Sequence, residues 1–148
     1  MIKKGFTPIV IPTVGIYFDE IDKHYLVQPC IPSPLGGSLE FGDPIMVLEE
    51  DFESSIANVT LKSLENYLKT KYDPTLEKRR SDKEQLDFVK RHKSVSVAKL
   101  TSGRIQVSAG ERQGGGYHGV EDGDIVIDAA SAREQLPGTI REAFQRAK

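Results

Sequence analysis

Three short β-branched runs separated by glycine-containing turns occupy the C-terminal half, and they limit this chain to folds whose sheet is built from hairpins. Val95 and Val97 alternate with small polar residues, with Lys99 next in phase, and Ile105 and Val107 alternate after Thr101-Ser102-Gly103. A period of two puts the valines and isoleucines on one face of a strand. A short turn containing glycine joins antiparallel neighbours. Asp124-Ile125-Val126-Ile127 reads as a further strand, reached through the run Gly114-Gly115-Gly116-Tyr117-His118-Gly119.

The N-terminal half adds strands of the same kind. Ile9 to Phe18 is apolar and β-branched around Gly15, which predicts a strand or a bulged strand. The polar turn Asp19 to Lys23 leads into a second strand over His24 to Val27, so the two form a predicted hairpin. Ile45 to Leu48 reads as another short strand. Between them, Gln28 to Ser38 holds Pro29, Pro32, Pro34, Gly36 and Gly37. Proline removes a ladder donor and fixes φ, so this stretch reads as a rigid, irregular connection.

Helical spacing appears in three places. Ala57, Leu61, Leu64, Leu68 and Tyr72 form one stripe of a helix predicted over Ile56 to Tyr72, with Ser54 or Ser55 as its cap. Asp73-Pro74 ends it, because the residue before proline is driven out of the α region. Thr75 to His92 is highly charged, with a thin stripe from Leu76, Leu86, Phe88 and Val89, and reads as a second helix. Thr139 to Lys148 reads as a closing helix capped by Thr139. The order predicts an α+β fold: a mostly antiparallel β-sheet with two central helices and a C-terminal helix packed on it. A length of 148 residues suits one domain over 1–148.

Several function classes lose support at this level. Cys30 is the only cysteine, so no intrachain disulfide forms, and an idle thiol fits a reducing compartment. It lies between Pro29 and Pro32 with no neighbouring histidine, unlike an activated nucleophile. The apolar stretch after Met1 to Gly5 is broken by Pro8 and Pro12 and has no cleavage motif after it. No apolar run approaches the about 20 residues needed to span a bilayer. A cytoplasmic protein without membrane contact is expected. His24, His92 and His118 are isolated in sequence, so no metal site is expected, and no cofactor either. The glycine run lacks the Lys-Ser/Thr ending and following helix of a phosphate cradle. It reads as a strand connection or, alternatively, as a contact loop presenting Tyr117 and His118 to a partner. No nucleophile and base arrangement is present, and a non-enzymatic protein is expected.

Charge is the clue to a partner. The chain carries a net charge of −2, yet Tyr17 to Glu53 holds nine carboxylates against Lys23, a local −8. Lys69 to Lys93 holds nine cations against five carboxylates, a local +4. The basic segment reads as a solvated helix face with local pairing, such as Asp87 with Arg91. Phe88 is its only aromatic apart from Tyr72, too few for a base-stacking platform. A single-stranded nucleic-acid-binding protein using a basic sheet and helix surface is therefore the rival reading, and nucleic acid is not the expected partner. The acidic segment offers a surface for a basic protein, with Asp19, Glu20, Asp22, Glu49, Glu50, Asp51 and Glu53 as candidate contacts.

Ser94-Val95-Ser96-Val97, Gly103-Arg104-Ile105-Gln106-Val107, the Gly114 to Gly119 run and Asp124-Ile125-Val126-Ile127 occur in an order that resembles the immunity proteins of bacterial contact-dependent growth inhibition systems. The charged segment before them, with Lys83 and Phe88, fits the same pattern. The resemblance covers roughly the C-terminal half. It implies a cytoplasmic inhibitor that binds the C-terminal toxin domain of its cognate system one-to-one and occludes its active site. It also implies that the toxin is commonly a basic nuclease. The resemblance carries over no contact residue.

Overall fold

A computed structural model describes residues 10–77 and 79–148. Six strands form one fully antiparallel sheet. Along the chain these are β1 (Thr13–Asp19), β2 (His24–Gln28), β5 (Ile45–Leu48), β6 (His92–Lys99), β7 (Ile105–Gln113) and β8 (Gly116–Ile127), in spatial order β5-β2-β1-β6-β7-β8. A small hairpin of β3 (Cys30–Pro32) and β4 (Ser38–Glu40) leaves the end of β2. Three helices complete the fold: α1 (Phe52–Asn66), α2 (Asp82–Arg91) and α3 (Ala132–Arg146). The expected α+β architecture is the observed one.

Strand register explains the core. Val14 faces Val97, Ile16 faces both Val27 and Val95, and Val97 faces Val107. All of these are buried, so one sheet face is a continuous apolar surface. α1 covers it with Phe52, Ile56 and Leu64, and α3 covers it with Leu136, Ile140 and Phe144. The opposite face carries Gly15, Tyr17, Ser94, Ser96 and Ser108 in register. α2 lies on that side, where Phe88 meets Tyr17 edge-on at 4.9 Å and stacks on His92 at 4.0 Å.

Several element boundaries differ from those the sequence suggests. α1 ends at Asn66 rather than Tyr72, leaving Leu68 65% and Tyr72 41% exposed. The apolar stripe starts earlier, at the fully buried Phe52, so the helix is pulled four residues toward its N-terminus. Neither serine caps it through its side chain; the N-cap is Asp51, and Ser54 donates to the Asp51 carbonyl at 3.2 Å. The charged second helix begins only at Asp82. There Ser81 and Glu84 form a reciprocal capping box, while Pro74–Leu76 is a separate single turn. Lys78 lies outside the described residues, as does Ile9 at the head of the predicted first strand. The proline-rich stretch is not wholly irregular, because Cys30, Ile31 and Pro32 pair with Glu40, Leu39 and Ser38.

Two further boundaries depend on glycine and proline. The six-residue glycine run is not a loop: only Gly114 and Gly115 turn, and Gln113 pairs with Gly116. Gly114 sits at φ +60°, which glycine adopts without a Cβ clash. Tyr117 and His118 are therefore strand residues of β8. α3 begins at Ala132 and runs through Pro137-Gly138, a pair that reads as a breaker. Pro137 is buried, and burial of Leu136, Ile140 and Ala143 outweighs its lost hydrogen bond. Thr139 is interior to the helix and donates to the Gln135 carbonyl at 2.8 Å.

Candidate partner-binding surface

One end of the sheet gathers seven of the nine carboxylates of the acidic segment: Asp19, Glu20, Asp22, Glu49, Glu50, Asp51 and Glu53. The β1–β2 turn lies there, and His24 pairs with Leu48, which brings the end of β5 beside it. Glu49, Glu50 and Asp51 follow Leu48 in a single 3₁₀ turn that feeds α1. Negative charge at a helix N-terminus is favourable, so these carboxylates support the helix that carries them.

These seven acidic residues have different surroundings. Asp19 is only 3% exposed. Its carboxylate accepts from the Ile21 and Asp22 backbone N–H groups, both at 2.9 Å, and from Arg91 Nε at 2.8 Å. Burial pushes its pKa up, but Arg91 and the two N–H groups outweigh this and hold it well below the usual carboxylate range. Arg91 also donates to Asp22 at 2.6 Å, and Arg112 donates to Glu20. At the other cluster, Arg141 of α3 meets Glu49 at 2.7 Å and Glu53 at 2.8 Å while lying 4.0 Å above the Phe52 ring. It also reaches the Tyr25 hydroxyl, at 3.4 Å. Burial, then Glu49, pushes that hydroxyl up to about 12. Glu50 and Asp51 are exposed and have no side-chain partner among the described residues.

Composition hides this division. Arg91, Arg112 and Arg141 come from 69 to 92 residues away in sequence and neutralise part of the acidic segment. The expected local pair of Asp87 with Arg91 is replaced by Arg91 with Asp19 and Asp22, because α2 docks with its last turn over the end of β1. Other cations of the basic segment also find partners. Arg79 meets Glu77 at 3.1 Å, and Arg80 meets Glu40 at 3.6 Å while lying over Phe88 at 3.8 Å.

The histidines are closer in space than in sequence. His24 and His92 each place Nε2 3.7 Å from Asp19 Oδ2. Asp19, Asp22 and His24 offer ligand atoms within 4.8 Å of one another. Arg91 already supplies positive charge between the two carboxylates, so the donor set does not suit a cation as well. Tyr117 is half-buried, donates to the His92 carbonyl at 2.8 Å and lies 5.9 Å from Tyr17. His118 is exposed on β8. The Cys30 thiol is pushed up to about 12 by burial and then by Glu40, so it is protonated at neutral pH.

Next to the acidic turn runs an apolar edge. β5 is the outermost strand on its side, and Ile45, Met46 and Leu48 are exposed. An exposed apolar edge strand is uncommon on a monomer surface and marks interaction sites. Its sequence signal is the unbroken run Ile45-Met46-Val47-Leu48, which does not alternate as a half-buried strand would.

The chain matches no family model and no curated protein sequence. Among the solved structures that share its fold are two that align over nearly its whole length. One is a protein of unknown function from Neisseria meningitidis, with a TM-score of 0.70 at 14% identity, covering 97% of this chain and 99% of that one. The other is a chain of the CdiA-CT/CdiI toxin and immunity complex from Yersinia pseudotuberculosis, with a TM-score of 0.66 at 9% identity, covering 95% of this chain and 99% of that one. No helix among the described residues is long and apolar enough to cross a membrane.

Proposed function

We propose that this chain is an immunity protein that neutralises the toxin domain of its own contact-dependent growth inhibition system. The observation that carries the reading is the fold it shares, over 95% of its length, with a chain of a toxin and immunity complex. The acidic end of the sheet supports it. Asp19 and Asp22 hold Arg91, Glu20 holds Arg112, and Glu49 and Glu53 hold Arg141, which leaves Glu50 and Asp51 to face a partner. A basic partner, such as a nuclease whose cleft binds phosphates, is attracted by carboxylates presented in this way. Inhibition follows from one-to-one occlusion in the cytoplasm and requires no catalysis. A standard interface of this kind buries about 1,600 Å² in total.

The experiment is co-expression with the C-terminal domain encoded by the gene immediately upstream. Growth that survives only when this chain is present, with a stoichiometric complex on purification, is the expected result. Absence of both toxicity and complex defeats the reading.

Within that complex, the double variant Glu50→Lys/Asp51→Lys lowers the association rate by about tenfold at low salt. Most of the difference disappears near 1 M salt, where the Debye length falls to about 3 Å. Both side chains are exposed, so the variant stays folded, and its stability falls only by the lost charge support at the start of α1, about 0.3–1 kcal/mol for each charge. Association rates that match the unmodified protein at every salt concentration would remove this acidic turn from the interface.

A further inference from the structure

We infer that the β3–β4 hairpin is a preformed apolar arm that anchors the toxin domain through Leu35, alongside the acidic turn; this rests on the function proposed above. Pro29 to Leu39 contains no charged residue, in a chain that is 28% charged. At its tip Leu35 is 97% exposed, the most exposed large apolar residue described.

The tip is held rather than loose. Ser33 N–H donates to the Gly37 carbonyl at 2.9 Å, Gly36 N–H donates to the Ser33 carbonyl at 3.1 Å, and Leu35 N–H donates to Ser33 Oγ at 3.2 Å. Gly36 and Gly37 take φ of +99° and +72°, which other residues adopt only with strain. Cys30 and Ile31 bury the base of the arm, and Ser38 shares a 2.7 Å hydrogen bond with the hydroxyl of Tyr67 at the end of α1. Beside it lies a cavity of about 580 Å³ whose walls include Val10, Ile11, Pro34 and Tyr67. A rigid apolar projection loses little entropy when a partner closes on it, which is what an anchor residue needs.

Charge and position select the occupant. β5 connects the two features: its Leu48 end carries the acidic turn, and at its other end Ile45 faces Val27, just before the arm departs. The arm is tied through Ser38 to Tyr67 at the far end of α1, so about 22 Å of helix separates it from the acidic turn at the start of α1. A partner that meets both must be apolar at one end and basic at the other. A second copy of this chain offers another acidic turn, which repels rather than complements.

Binding of the full chain to the upstream-encoded toxin domain tests this by surface-immobilised kinetics, with Leu35→Ala and Leu35→Asp. The expected result is about a tenfold or greater loss of affinity in Leu35→Asp, carried by faster dissociation, with unchanged melting. Leu35→Ala shows a smaller loss in the same direction. Three results overturn it. Affinity within twofold of the unmodified protein in both Leu35 variants, while Glu50→Lys/Asp51→Lys still weakens the complex, removes the arm and leaves the immunity reading standing. No complex with the unmodified chain defeats both. A free chain that is dimeric, and that Leu35→Asp makes monomeric, assigns the arm to self-association instead.

Discussion

Phe52→Ala lowers stability by about 3–5 kcal/mol, the range for truncating a buried phenylalanine. Phe52 is fully buried at the first position of α1. Its ring lies 4.5 Å from that of Tyr25 and supports the Arg141 guanidinium at 4.0 Å. The loss is a large share of the about 5–15 kcal/mol that holds a domain together. It also reaches the surface. With Phe52 gone, Arg141 loses the ring beneath it, and its pairs with Glu49 and Glu53 loosen. Chemical denaturation gives the stability change, and toxin-binding kinetics on the folded fraction give the second effect. A cost under about 1 kcal/mol would mean that α1 is not seated on Phe52.

Asp19→Ala is the second large effect, at about 1.5–3 kcal/mol, because it removes a buried carboxylate that accepts charge-assisted hydrogen bonds, while Arg91, itself more than a third exposed, keeps Asp22. The turn also loses the acceptor for the Ile21 and Asp22 N–H groups, and α2 loses one of its ties to the end of β1. The pH dependence follows in sign. The folded pKa of Asp19 is depressed, so its contribution is present above the unfolded value of about 4 and is lost as pH falls below it. His92 acts in the same direction at higher pH. Burial lowers its pKa, its Nδ1 is tied to the Phe88 carbonyl at 2.8 Å, and protonation below about 6.5 favours the unfolded chain. Stability therefore declines in two stages on acidification, and Asp19→Ala flattens the lower one. Denaturation midpoints between pH 7 and pH 3 check this; an unchanged lower stage in the variant would contradict the role given to Asp19.

The strands of the second half were legible because Val95, Val97, Ile105 and Val107 alternate without interruption, and a two-residue period leaves one way to bury them. Helix ends were less legible. The apolar spacing continues past Asn66 to Leu68 and Tyr72, but both of these are exposed, and Tyr67, just after the helix ends, is the last buried residue of the stripe's neighbourhood. Pro137-Gly138 reads as a boundary only if local propensity decides. In α3 the packing of Leu136 and Ile140 against the sheet decides instead.

For the candidate surface the division falls at charge pairing. Sequence alone determined that carboxylates crowd Tyr17 to Glu53, that no charge lies in Pro29 to Leu39, and that hairpins build the sheet. These are properties of composition and period, which need no knowledge of what lies nearby. Only the tertiary structure decided which carboxylates are free. Asp19 and Asp22 are taken by Arg91, Glu20 by Arg112, and Glu49 and Glu53 by Arg141, across chain separations that no local pattern encodes. An ion pair depends on distance in space, and the fold alone sets that distance.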